Sequence, residues 1–164
     1  MKQLLLIRHG KSEWGNAHLS DFDRPLNPRG HRNAPEMALR LVRKNLVPEI
    51  TISSPALRAL TTASHFEHAW HRSIAQIKQD SSIYEAAVPA LLHLVNNIEN
   101  KYNRAALFGH NPGFTDLANY LTDANIDNLP TCGIVILEFT TDHWSEIAVG
   151  TGRLLDFDYP KKVQ

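Results

Sequence analysis

The chain has 164 residues, 43% of them hydrophobic, enough for one domain with a buried core and too little for two well-sized ones. Lysine plus arginine balances aspartate plus glutamate at 17 each, so no bulk charge directs the chain to nucleic acid or to a membrane surface. The single cysteine, Cys132, excludes an internal disulfide and fits a reducing compartment.

Leu4-Leu5-Leu6-Ile7 reads as a strand of a parallel sheet, buried on both faces and ending in Arg8-His9-Gly10. The apolar run is too short for a signal peptide or a membrane span, and charge follows at once, so a soluble cytoplasmic protein is expected. Residues 11–28 are a long polar connection holding Trp14, Asn16, Asp21, Asp23 and Arg24, a length that usually marks a functional loop. Asn27-Pro28 supplies a cap and a helix-opening proline. Ala34, Met37, Ala38, Leu41 and Val42 then share one helical face, with Pro35 either starting or kinking the helix. Residues 49–53 predict a second strand. Ser54-Pro55 opens a second helix by the same logic, its inner face carrying Ala56, Leu60, Ala63 and Ser64. Residues 74–77 predict a third strand, with Tyr84-Glu85-Ala86 in the loop beyond it. Val88, Leu91, Leu92, Val95 and Ile98 mark a third amphipathic helix. Residues 105–108 form a short apolar strand ending at Gly109-His110-Asn111-Pro112, and Phe114, Leu117, Ala118 and Leu121 mark a fourth helix. Residues 134–139 and 144–149, separated by Thr141-Asp142-His143, read as a hairpin. With no linker and no repeat, the alternation predicts a single α/β domain over residues 1–164. It is a three-layer α/β/α arrangement with a mostly parallel central sheet and an antiparallel C-terminal strand.

The chemistry-bearing residues gather at the predicted carboxyl ends of strands, where open α/β sheets place their ligands. Arg8 offers a planar fork of donors suited to phosphate, and His9 is a nitrogen nucleophile that needs little activation near neutral pH. Arg58 falls in the first turn of the second helix, where free N–H groups already favour an anion. His110 follows a buried strand and precedes a proline-opened helix. Glu85 sits in the loop after the third strand. Singly, each has an ordinary reading: a surface salt bridge, a loop histidine, a solvated carboxylate. Two arginines, two histidines and a carboxylate on one face of the sheet are what random polar placement would not give.

That ordered set resembles the histidine phosphatase superfamily, whose phosphoglycerate mutase-like members carry an Arg-His-Gly motif with a nucleophilic histidine. Lys11-Ser12-Glu13-Trp14, Asp23-Arg24-Pro25-Leu26-Asn27-Pro28-Arg29-Gly30, Ser54-Pro55-Ala56-Leu57-Arg58-Ala59, Gly109-His110-Asn111-Pro112 and Leu129-Pro130-Thr131 are similar to the short SixA-type phosphohistidine phosphatase branch. The resemblance implies a phosphoglycerate mutase-like fold and hydrolysis of protein-borne phosphohistidine. In it His9 attacks phosphorus and becomes phosphohistidine, while Arg8, Arg58 and His110 hold the three equatorial oxygens. Glu85 is the candidate to protonate the leaving group, with Asp21 and Asp23 next in line, and Asn16 is a minor phosphate-binding candidate.

Three rival readings share these residues. A mutase or small-molecule phosphomonoesterase would use long insertions to cover its substrate, and the loops here are short. A non-catalytic phosphate-binding module would dispense with the nucleophile, which is intact. His65, His68 and His71 fall within about a third of a helix circumference. No cysteine or carboxylate cluster joins them, so a solvated helix end is favoured over a metal site. No metal and no other cofactor are expected in the pocket, because two arginines already supply the positive charge. The expected partner is a phosphorylated protein or a small phosphorylated compound, with no nucleic acid and no membrane; the oligomeric state is open.

Overall fold

The computed structural model describes residues 1–163. Six strands form one sheet: β1 (Lys2–Arg8), β2 (Ile50–Ser53), β3 (Lys78–Gln79), β4 (Arg104–Gly109), β5 (Ile134–Phe139) and β6 (Gly152–Asp158). Their spatial order is β3-β2-β4-β1-β5-β6. The β1–β4, β2–β4 and β2–β3 ladders are parallel, and the β1–β5 and β5–β6 ladders are antiparallel. The expected antiparallel character is therefore present, carried by the reversed direction of β5.

Four helices cover the two faces: α1 (Pro28–Arg43), α2 (Leu57–Ala69), α3 (Val88–Asn96) and α4 (Gly113–Leu121). The alternation along β1 explains the three layers. Leu5 and Ile7 join Met37, Leu41, Phe66 and Trp70 of the α1–α2 layer. Leu4 and Leu6 point the other way, into a cluster with Leu91, Val95, Phe114 and Leu117 of the α3–α4 layer. All four β1 residues are fully buried, as a strand sandwiched between two helical layers requires. Among the described residues no helix is long and apolar enough to cross a membrane.

Asn27 caps α1 as expected, its side chain accepting from Gly30 N. The helix runs unbroken through Pro35, held by the buried face of Ala34, Met37, Ala38 and Leu41. Arg40 then ties it to the end of the sheet, donating to Asp158 Oδ1 at 2.9 Å and to the carbonyls of Tyr159 and Pro160.

Three local expectations are corrected. Residues 74–77 are not a strand. Ser73 Oγ captures the Ala75 N–H and turns Ile74–Gln76 into a single 3₁₀ turn, with Ile74 59% exposed and no core to bury against. The two residues that do pair with β2 are the next ones, β3. The second arm of the C-terminal hairpin is β6, not residues 144–149. Trp144–Glu146 is a 3₁₀ turn in which Asn96 Nδ2 takes the carbonyls of Trp144 and Ile147, leaving them unavailable to a ladder. Helix α2 starts two residues after Pro55, and its buried face is Arg58, Ala59, Thr62, Ala63, Phe66 and Glu67 rather than Leu60 and Ser64. Ser54 Oγ instead accepts from Ala56 N, spending the serine on the turn before the helix.

Candidate active site

The carboxyl ends of β1, β2 and β4 lie side by side, and each hands its chain to a tight turn. At β1, the His9 N–H donates to the Gly109 carbonyl at 3.0 Å, and the His9 carbonyl accepts from Cys132 N at 2.9 Å. Backbone bonds from both neighbouring segments thus fix His9. Burial pushes the nearby Cys132 thiol up to about 12, which makes it an inert filler. The turn after His9 needs glycine: a Cβ on Gly10 would meet Gly30 Cα at 3.1 Å, and one on Gly30 would lie 2.3 Å from the Lys11 carbonyl. Thr62 Oγ1 accepts from Gly10 N at 3.0 Å and donates to the Arg58 carbonyl at 2.7 Å, coupling this turn to the first turn of α2.

His9 Nδ1 lies 2.7 Å from the Gly10 carbonyl. A carbonyl only accepts, so Nδ1 carries the proton and Nε2 keeps its lone pair. Burial is the main reason the His9 pKa falls to about 3, with the charges of neighbouring groups, including Arg58 and Arg8, adding to it. His110 stands beside it with ring centroids 5.4 Å apart, its Nε2 2.8 Å from Ser54 Oγ. Burial, then the charge of Arg58, lowers its pKa to about 4. Arg8 is anchored by donation from Nη1 to the Leu129 carbonyl at 2.9 Å. Arg58 is buried, and its Nη1 and Nη2 donate to the Asp21 carbonyl at 2.6 Å and to Asp21 Oδ2 at 3.0 Å.

These groups surround one cavity of about 370 Å³, which Arg8, His9, Arg58, Glu85 and His110 all line. Among the described residues, five buried side-chain polar atoms lack a hydrogen-bond partner, and four of them belong here: Arg8 Nε, Arg24 Nε, Arg58 Nε and His110 Nδ1. The three Nε–H groups can only donate. Guanidinium groups gathered round one cavity, with three Nε–H donors left unpaired in its wall, suit an anion. Glu85 reaches the wall of the cavity from an exposed loop, with φ at 56°. Asn16 is not brought to it: Asn16 Oδ1 accepts from His18 N, and the residue lines a separate hollow of about 240 Å³ behind Trp14.

Two participants, Arg24 and Tyr84, escaped the reading of the sequence, and Asp21, expected only as a reserve acid, joins them as a bridge. Arg24 joins the cavity, its guanidinium 3.8 Å from the Trp14 ring centroid and hydrogen-bonded to Ser12 Oγ and Asp21 Oδ1. Tyr84 packs edge-on to His110 at 5.5 Å and donates to Asp21 Oδ2 at 2.6 Å. Asp21 bridges both. The Asp23-Arg24-Pro25-Leu26 stretch was a signal for Arg24, but the path of the long loop that brings it home is not written in any periodicity. Of the three helix histidines, His65 pairs with His31 Nδ1 at 2.9 Å, on the outer side of α1 and α2.

Neutral, buried His9 has a consequence for stability. In the unfolded chain a histidine titrates near 6.5, so below that pH the unfolded state takes up a proton that folded His9 refuses. The stability is fully present above pH 6.5 and is lost as pH falls toward the folded value of about 3. The loss is about 1.4 kcal/mol per pH unit across that window. Urea unfolding at a series of pH values should show this acid decline, to which buried His110 adds its own, and His9→Ala should make it shallower by about one proton. A decline with the same slope in His9→Ala would contradict the burial of a neutral imidazole.

Comparison with known proteins bears on the family and the fold. The model of the histidine phosphatase superfamily (branch 1) matches residues 4–112. An uncharacterised chloroplastic protein of Arabidopsis thaliana is 30% identical over 154 residues, covering 88% of this chain and 70% of its own. Among solved structures, the SixA protein of Agrobacterium tumefaciens superimposes with a TM-score of 0.82 at 24% identity, covering 97% of this chain and 98% of its own. A protein histidine phosphatase SixA complexed with tungstate gives 0.81 at 20% identity, covering 96% and 97%.

Proposed function

Because the chain belongs to the histidine phosphatase superfamily, we propose that it hydrolyses phosphohistidine carried on a protein, through a covalent phosphohistidine formed on His9. The observation that carries this reading is the free Nε2 lone pair of a neutral His9, set in a cavity lined by the guanidiniums of Arg8, Arg24 and Arg58. Nε2 attacks phosphorus in line, the phosphorus–nitrogen bond to the substrate imidazole breaks, and that imidazole leaves. Arg8, Arg58 and His110 stabilise the equatorial oxygens as charge redistributes. Water then attacks the phosphoenzyme, the His9–phosphorus bond breaks, and inorganic phosphate leaves. The positions are fixed before substrate arrives, because backbone bonds and the Thr62 link hold the groups in place.

Two features favour a protein-borne substrate. The helices of the described residues pack on the sheet faces and only the first turn of α2 reaches the cavity, so its remaining border is strand ends and loops, with no helical roof. A related histidine phosphatase of the same fold holds tungstate, an oxyanion, which supports the reading of this cavity as a phosphoryl seat. The decisive experiment compares turnover of a phosphohistidine-bearing protein with a panel of sugar and nucleotide phosphates. The phosphohistidine protein should give the highest kcat/KM; a clear preference for one sugar phosphate would replace this reading with that of a phosphomonoesterase.

Glu85 is the proton donor in this scheme, and the leaving group decides how much it matters. An alkoxide needs a proton in the transition state, whereas a protonated imidazole departs unaided. Glu85→Gln should slow phosphomonoester hydrolysis by about 10²-fold and phosphohistidine hydrolysis by only a few-fold. Equal losses on both substrates would assign Glu85 to the shape of the site rather than to proton transfer.

A further inference from the structure

The loop between β1 and α1 folds Asp21 back over the cavity, and donors from three other residues converge on it. Arg58 Nη2 donates to Asp21 Oδ2 at 3.0 Å, and Tyr84 OH donates to the same oxygen at 2.6 Å. Arg24 Nη2 donates to the other oxygen, Oδ1, at 3.1 Å. The hydrogen bond from Tyr84, followed by those from Arg24 and Arg58, holds this carboxyl well below the usual carboxylate range. A carboxylate that places one oxygen on each of two guanidiniums makes the contacts an external anion would make there. Meanwhile Arg8 Nε, Arg24 Nε and Arg58 Nε remain without partners. The pocket thus has one seat beside His9 lined by the guanidiniums of Arg8 and Arg58 and a second place, between Arg24 and Arg58, that is already filled.

We propose that Asp21 is a specificity-determining residue: its carboxylate occupies the seat between Arg24 and Arg58 that a second anionic group on a substrate would take. The pocket then admits one phosphoryl group on a carrier with no other anion beside it. A histidine imidazole is such a carrier. Diphosphates, bisphosphates and phosphorylated acids are not, because their second anion would meet Asp21 at close range, and like charges set side by side are repelled. Asp21 is half exposed, so solvent screens the repulsion and the discrimination is moderate. This inference rests on reading the cavity as a phosphoryl seat, and it does not depend on which phosphorylated compound is the substrate.

The test is the calorimetric binding of inorganic phosphate and of pyrophosphate to the wild type and to Asp21→Asn. The wild type should favour phosphate. Asp21→Asn should tighten pyrophosphate by about tenfold and phosphate by no more than about threefold, since the isosteric amide removes a repulsion that only the second phosphoryl group of pyrophosphate meets. Equal tightening of both ligands would mean that Asp21 merely lowers the positive potential of the cavity, and weakening of both would mean that it only props Arg58; either overturns the inference. Tyr84→Phe removes a hydrogen bond to Asp21 but no charge, so its ratio of the two affinities should stay within about twofold of wild type. A Tyr84→Phe shift as large as that of Asp21→Asn would also overturn it. Absence of phosphohistidine turnover with the affinity ratios as expected would sink the proposed substrate and leave Asp21 standing. Absence of phosphate binding by the wild type would sink both.

Discussion

His9→Ala should abolish phosphatase turnover, by about 10⁴-fold or more, and should leave the protein folded. No other side chain in the cavity pairs a free nitrogen lone pair with a backbone fixed from two sides. The substitution keeps the bonds that position the segment, since the Gly109 carbonyl and Cys132 N engage only the His9 backbone. The side chain loses a single local hydrogen bond, to the Gly10 carbonyl, worth about 1 kcal/mol. Wild type quenched during turnover should carry acid-labile phosphate at position 9, detected by mass spectrometry under alkaline conditions. Phosphate trapped on a different residue, or substantial activity in His9→Ala with an unchanged circular-dichroism spectrum, would refute the covalent route.

Arg58→Ala should lower kcat/KM by about 10²–10³-fold, the range seen when one preorganised charge-stabilising donor is removed. The guanidinium is buried at the first turn of α2, where no solvent cation can replace it. Its loss also leaves Asp21 facing the cavity with one fewer positive neighbour, so vanadate inhibition should weaken in parallel with the rate. Arg58→Lys should recover only part of the loss. An ammonium restores the charge but not the fork that lets one side chain serve Asp21 and a phosphoryl oxygen together. Full activity in Arg58→Lys would show that charge alone matters at this position. A change below about threefold in Arg58→Ala would remove the residue from the machinery.

What the sequence made legible was tied to apolar runs. β1 and β4 carry unbroken buried apolar runs with polar residues directly at their ends, so Arg8, His9 and His110 could be placed once the strands were placed. Arg58 followed from Ser54-Pro55, although the helix begins slightly later than those residues suggest. Illegible were the places where a side chain rather than a period decides the backbone: Ser73 at the residue 74 turn, and Asn96 at the residue 144 turn. The same holds for Asp21, Arg24 and Tyr84. Their meeting depends on a loop whose course is set by Arg58, the Trp14 ring and the phenol of Tyr84, of which only Trp14 is near Asp21 in sequence.

The position of β1 between β4 and β5 also governs how the molecule comes into being. The first strand to leave the ribosome pairs on one side with residues 104–109 and on the other with residues 134–139. Until those segments are made, Leu4, Leu5, Leu6 and Ile7 have neither ladder and present two open apolar edges. Closing such long loops must be completed before any contact rewards it, which makes assembly slow and late. An unpaired edge of this kind also invites pairing with other chains. The strand that leads into His9 is therefore completed in the same event as the hydrophobic core. A nascent chain halted before β5 is an aggregation hazard rather than a weak enzyme.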